Sequence, residues 1–156
     1  WLHEGGIRVP FILYWKGKIS AGSVSEMPIT ISDIFTTVAK AINPNYKKEQ
    51  IVEGESIPDL LKNEKKSADR TLYWHYPHYS NQGGRPSSAI RKGNLKLIYN
   101  YEDQSVELYD VVKDVGEKNN LASTQLVQAK KMKQELMRWL KRNGALYPDP
   151  NPAYKP

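Results

Sequence analysis

The chain has 156 residues, about one domain's worth, and its 23 Lys and Arg against 17 Asp and Glu leave a net charge of +6. A hydrophobic fraction of 39%, with four Trp and ten Tyr, is enough to fill a core and excludes wholesale disorder. The absence of cysteine removes disulfides, Cys-ligated zinc and thiol chemistry, and no apolar run approaches the roughly 18 residues of a membrane helix.

Residues 7–15 are β-branched and aromatic, which predicts a buried strand, with Pro10 marking a sheet margin or bulge. Ser32 offers an N-cap and Asp33 a first-turn carboxylate. Ile34, Phe35, Val38, Ala39 and Ile42 then recur at helical spacing until Asn43-Pro44 stops the run. Residues 45–70 read as a long polar excursion with one helical turn near Ile57–Leu61. Thr71–Tyr76 has strand composition, and the Pro- and Gly-bearing stretch 77–86 is a loop. Ser88–Arg91, Leu95–Tyr101 and Val106–Val111 are separated by short turns, which predicts an antiparallel meander. From Thr124 onward, Ala129, Met132, Leu136, Trp139 and Leu140 mark one helix face, with Gly144 as the stop and a Pro-rich extended tail behind it. The expected fold is α+β: a small antiparallel sheet of three to four strands packed by the long C-terminal helix, preceded by a strand and a short helix.

Few residues suggest chemistry. His75 and His78 stand three apart at a strand-to-loop exit, but Pro77 intervenes and no nearby Asp, Glu or Cys completes a metal site. Two readings of the pair stay open: an aromatic cluster with satisfied imidazoles, or a ligand-facing loop in which Arg85 supports recognition of a hydroxylated, anionic ligand. His3 reads as exposed. Gly5-Gly6 and Gly83-Gly84 lack the spacing and context of phosphate loops. Asp103, Asp110 and Asp114 fall in turns, where capping roles suffice. The basic residues of the last helix read as a solvated face, with no nucleic-acid module around them. No catalytic constellation and no metal site emerge.

Five segments, in order, resemble the formylglycine-dependent sulfatases (the arylsulfatase family). They are Glu4-Gly5-Gly6-Ile7-Arg8-Val9-Pro10 with the following Trp15-Lys16-Gly17-Lys18-Ile19, then Ser32-Asp33-Ile34-Phe35-Thr36-Thr37, with Thr36 where proline is usual. Glu53-Gly54-Glu55-Ser56-Ile57, Ala89–Ile98, and Glu107–Asp110 running on to Glu117–Ala122 complete the set.

The resemblance implies that residues 1–70 are the tail end of a catalytic domain and 71–156 a C-terminal subdomain. It implies a parent enzyme that hydrolyses sulfate esters, on sulfated carbohydrates, with this portion inactive alone and contributing substrate recognition; the reading of the loop itself puts His75 or His78, supported by Arg85, toward the sugar. The family's formylglycine and its calcium ligands would lie upstream, and a sulfate-contacting lysine would lie two positions before Trp1. The implied partners are the sulfated carbohydrate and the missing catalytic domain, with self-association through an exposed strand 7–15, and neither nucleic acid nor a membrane span. Export to the periplasm or outside the cell is implied for the parent. The other reading is a self-standing carbohydrate- or protein-binding module.

Overall fold

A computed structural model describes residues 1–46, 54–62, 70–149 and 151. They form two compact units, one made of Trp1–Val9 with the chain from Thr71 onward, the other of Pro10–Arg70.

The first unit contains a sheet of order β1-β2-β3-β4 (Thr71–Tyr76, Ser87–Lys92, Leu95–Asn100, Val106–Asp110), antiparallel throughout. The register sets Tyr73 opposite Ile90, Ile90 opposite Leu97, and Leu97 opposite Leu108. Period-2 alternation therefore aligns these side chains on one face. There they meet Ala129, Met132, Leu136 and Leu140 of the C-terminal helix, Leu126–Arg142, numbered α4 below. Tyr73 stacks on Trp139 of that helix with ring centroids 4.6 Å apart. Gly144, at φ +61°, takes the left-handed turn that ends the helix.

The opposite face is covered as well, which the sequence does not disclose. Ala89, Ile98, Tyr109 and Val111 pack with Leu2, Ile7 and Trp74, so the N-terminal segment closes the second side. That segment includes a single helical turn, α1, Glu4–Ile7.

The second unit holds α2, Ile31–Ile42, and α3, Ile57–Lys62. The predicted helix is present, beginning just before the expected cap: Asp33 Oδ2 accepts the Thr30 N–H at 2.7 Å. Asp33 is fully buried and also receives the Glu55 N–H and both terminal nitrogens of Arg70. Gly54 is required here, because a Cβ on it would lie 2.0 Å from the Ser32 carbonyl oxygen. The Thr36 hydroxyl donates to the Gly54 carbonyl at 3.0 Å, a bond proline could not make. Part of the predicted excursion, 47–53 and 63–69, and of the tail, 150 and 152–156, lies outside the described residues.

One expectation fails. Residues 8–15 form no strand, and Val9, Ile12 and Tyr14 are more than 70% exposed (75%, 92% and 82%). β composition suits a segment to a sheet, but a ladder needs a neighbour, and none of the described strands pairs with this one.

Candidate functional site

The antiparallel order gathers the end of β1, the start of β2, the end of β3 and the start of β4 at one rim of the sheet. The loop 77–86 and the turn 101–105 meet there, and all three residues singled out from the sequence lie at or beside it.

His75 is in β1 and is tied internally. Leu146 O can only accept, so Nε2 carries the hydrogen and donates to it at 2.9 Å. Nδ1 then accepts from the Ser88 hydroxyl, 2.7 Å away, with the Tyr101 hydroxyl 3.2 Å away. The ring also meets Tyr101 and Tyr147 edge-on. Burial raises the Tyr101 phenol above its ordinary pKa, so it stays a neutral hydroxyl in this network. Both His75 nitrogens are spent holding the chain after α4 to the sheet.

His78 is exposed on the loop, edge-on to Tyr76 at 5.6 Å. Nearby, Tyr79 donates to Glu102 Oε1 at 2.6 Å. Arg85 donates to Asp103 Oδ2 at 3.1 Å and to Glu107 Oε1 at 3.3 Å, so its charge is matched before any ligand arrives. Among the described residues no hydrogen bond or ring contact joins His78 to His75 or Arg85.

Glu107 organises this corner. Besides Arg85 it accepts from His3 Nε2 at 3.0 Å, Tyr109 OH at 2.8 Å and Asn100 Nδ2 at 2.8 Å. The His3 hydrogen bond, with those of Asn100 and Tyr109, outweighs partial burial and holds the carboxyl down at about 2. Asp103, capped by Ser105 and bound by Arg85, is likewise held at about 2. Burial, then the Glu107 carboxylate, push Tyr109 well above the tyrosine range. His3, whose side chain is 40% exposed, thus also anchors a carboxylate.

The loop rests on the N-terminus. A Cβ on Gly84 would lie 2.6 Å from Trp1 Cδ1 and 2.6 Å from Ser80 Oγ, so the loop backbone passes directly over the indole.

Beneath the second face of the sheet lies a buried ion cluster that the sequence reading missed. Lys96 is fully buried, with Nζ 3.0 Å from Glu4 Oε1 and 2.9 Å from Glu117 Oε1. Glu117 Oε2 accepts the Glu4 N–H at 2.6 Å. Arg8 and Arg91 bring guanidinium nitrogens to 3.8 and 4.0 Å of Glu4 Oε2. A signal was present: alternation along β3 puts Lys96 on the same face as Ile98. Glu4, Lys96 and Glu117 also come from three of the five sulfatase-like segments, and they meet here.

Among the described residues no group of three or more His, Cys, Asp or Glu could hold a metal ion.

A four-stranded antiparallel sheet with one long helix on it is the arrangement of an α+β sulfatase C-terminal subdomain. Residues 1–143 match the family described as N-sulphoglucosamine sulphohydrolase, C-terminal, and the chain belongs to that family. It is 34% identical over 158 residues to a sulfatase of Formosa agariphila, covering 92% of this chain and 29% of that protein. It is also similar to the solved structure of BT4656 in complex with its substrate D-glucosamine-2-N,6-O-disulfate, with 28% identity, a TM-score of 0.51, and coverage of 71% of this chain and 23% of that one. Ps i-CgsB in complex with k-i-k-neocarrahexaose shares the fold at a TM-score of 0.65 and 20% identity, over 81% of this chain and 27% of that one. The chain thus spans less than a third of the length of these relatives.

Proposed function

We propose that this chain is the C-terminal portion of an enzyme that hydrolyses sulfate esters of carbohydrates. It contributes substrate recognition, while the nucleophile and the metal ligands come from residues outside it. Family membership supports the enzyme class. The D-glucosamine-2-N,6-O-disulfate that is the substrate of BT4656 supports a carbohydrate substrate. Sulfate ester hydrolysis needs a nucleophile and concentrated positive charge around a tetrahedral anion. This chain's corner of matched charges around Glu107 is not such a site, so residues 1–156 alone are expected to release no sulfate.

The observation that carries the recognition role is the seating of loop 77–86 on Trp1. The sulfatase resemblance puts a sulfate-contacting lysine two positions before Trp1. The exposed His78 and the half-exposed Arg85 then stand beside the group that carries the sulfate, and His75 holds the rim in shape. In this reading 1–70 is the tail of the catalytic domain and 71–156 the C-terminal subdomain, calcium and formylglycine belong to the upstream part, and the parent is exported. None of the described helices is long and apolar enough to cross a membrane.

The test is His78→Ala and Arg85→Ala in the full-length protein, assayed on a sulfated saccharide and on a small aryl sulfate. Loss confined to the saccharide, about 1–3 kcal/mol in kcat/KM, supports recognition. Equal loss on both substrates, or on neither, refutes it. An upstream reading frame without a Cys/Ser-x-Pro/Ala-x-Arg segment would overturn the enzyme reading and leave a free-standing binding module.

A further inference from the structure

The positive charge of this protein is concentrated in one place. Helix α4 carries Lys130, Lys131, Lys133, Arg138, Lys141 and Arg142 against a single carboxylate, Glu135. Six cations and one anion make +5 of the chain's net +6. The lone carboxylate lies to the side, where Lys92 Nζ holds its two oxygens at 2.9 and 3.0 Å.

At about 100° per residue Lys130, Lys131, Arg138, Lys141 and Arg142 project on the arc facing away from the buried stripe of Ala129, Met132, Leu136 and Leu140, while Lys133 flanks that stripe. The charged residues farthest from the stripe are thus all basic. Lys133 is partly used, with its ammonium 4.4 Å above the Tyr99 ring. None of the other five forms an ion pair with a described residue. Lys130, Lys133, Gln134, Met137 and Arg138 line a shallow depression along this side.

Such a pattern is unfavourable for the helix itself. Arg138 and Arg142 are four apart, and Lys130 and Lys133, like Arg138 and Lys141, are three apart. All are like-charge neighbours that weaken a helix, where interspersed Glu would have strengthened it. The helix dipole accounts for Lys141 and Arg142 in the last turn, but not for Lys130, Lys131 and Arg138 farther back, and those suit a polyanion.

The geometry points to the solvent face of α4 as an accessory binding surface for a sulfated polysaccharide chain, separate from the rim. It rests on the sulfatase reading for the ligand class, and it places the grip on the polymer away from the scissile ester. From Lys130 to Lys141 the row runs about 17 Å at 1.5 Å per residue, long enough to meet several sulfate groups of an extended chain. Four of the six cations are lysines, which suit point-charge contact with sulfates. The arc has no aromatic ring on which a nucleic-acid base could stack.

The experiment uses the full-length protein and the variant K130Q/K131Q/R138Q/K141Q/R142Q, with K113Q as a control at an exposed lysine elsewhere. Labelled dextran sulfate, unsulfated dextran and a short DNA duplex are titrated against each by anisotropy at several salt concentrations. The proposal requires dextran sulfate to bind, unsulfated dextran not to bind, and the variant to lose at least tenfold in affinity with a shallower salt dependence, K113Q behaving as wild type. Unchanged dextran sulfate binding by the variant overturns it, as does tighter binding of DNA than of dextran sulfate. Turnover of a small aryl sulfate, measured alongside, is expected to be the same in variant and wild type. Its absence from both would refute the sulfatase reading rather than the basic face.

Discussion

Lys96 Nζ stands 3.0 Å from Glu4 Oε1, and both side chains are buried. This pair joins the central β3 to the N-terminal turn across more than ninety residues of sequence. Removing the cation leaves Glu4 and Glu117 charged in a dry site, with only the more distant Arg8 and Arg91 to offset them. Lys96→Met is therefore expected to lower unfolding free energy by about 3–5 kcal/mol in urea denaturation. Adding Glu117→Gln to it should recover part of that loss. A cost below about 1 kcal/mol would mean that water reaches the cluster.

Glu107 gives the protein a defined acid sensitivity. Its carboxyl is held at about 2 in the fold, against 4.5 as its ordinary value. A depressed carboxyl stabilises the fold above the unfolded-state pKa, and that stability is lost as pH falls through the folded-state value. Stability attributable to Glu107 should be constant above about pH 5 and decline between about 4.5 and 2. The total is on the order of 3 kcal/mol. Denaturation curves of wild type and Glu107→Gln over this range should converge as the pH drops, whereas parallel curves would show that its hydrogen bonds do not depend on the charge.

How far the fold was legible follows from which patterns carry unambiguous periods. Ser88–Arg91, Leu95–Tyr101 and Val106–Val111 are strand-like runs separated by short turns, and Ala129, Met132, Leu136 and Leu140 recur at 3.6, so the meander and α4 could be placed from sequence. Val9–Trp15 has equally good strand chemistry, yet composition cannot supply the strand it would pair with. At the site, the loop 77–86 was legible from its Pro, Gly, Ser and Asn content. The double engagement of His75 was not, because its partners Ser88 and Leu146 are distant in sequence. Lys96 and Glu4 were missed for a related reason: a charged residue defaults to solvent unless its partner is known.

The second unit rests on a bidentate pair. Arg70 Nη1 and Nη2 reach Asp33 Oδ2 and Oδ1 at 2.7 and 2.5 Å, with both side chains buried. The hydrogen bonds from Arg70, Thr30 and Glu55 hold the Asp33 carboxyl below its ordinary pKa against the opposing effect of burial, which is the largest single influence. An ammonium cannot reproduce the forked geometry, so Arg70→Lys should cost about 1.5–3 kcal/mol. Hydrogen exchange at the amides of α2 reports the change, and unaltered protection there would exclude the role.

The exposed Val9, Phe11, Ile12 and Tyr14 form an apolar stretch of a kind that promotes association. Residues 1–156 in isolation are expected to self-associate through this stretch, with a sedimentation coefficient that rises with concentration. Val9→Lys with Ile12→Lys should return a monomer. A wild-type chain that sediments as a monomer throughout would contradict this.

The adjacent glycines of the loop separate two physical effects. Gly83 has φ +84°, and a Cβ there would come no nearer than 3.8 Å to Trp1, so Gly83→Ala tests backbone conformation alone. Its expected cost is about 1–2 kcal/mol, that of placing an L side chain in the left-handed region. Gly84 has no such φ, but a Cβ there collides with Trp1 Cδ1 and Ser80 Oγ, both at 2.6 Å. Gly84→Ala should therefore cost about 1–3 kcal/mol through displacement of the indole. The two mechanisms predict different couplings to Trp1→Ala. Removing the indole relieves most of the Gly84→Ala penalty and none of the Gly83→Ala penalty, so a double-mutant cycle should return a coupling of at least about 1 kcal/mol for the first pair and near zero for the second. Equal couplings would show that the loop is not seated on Trp1, and the recognition role drawn from that seating would fall with it.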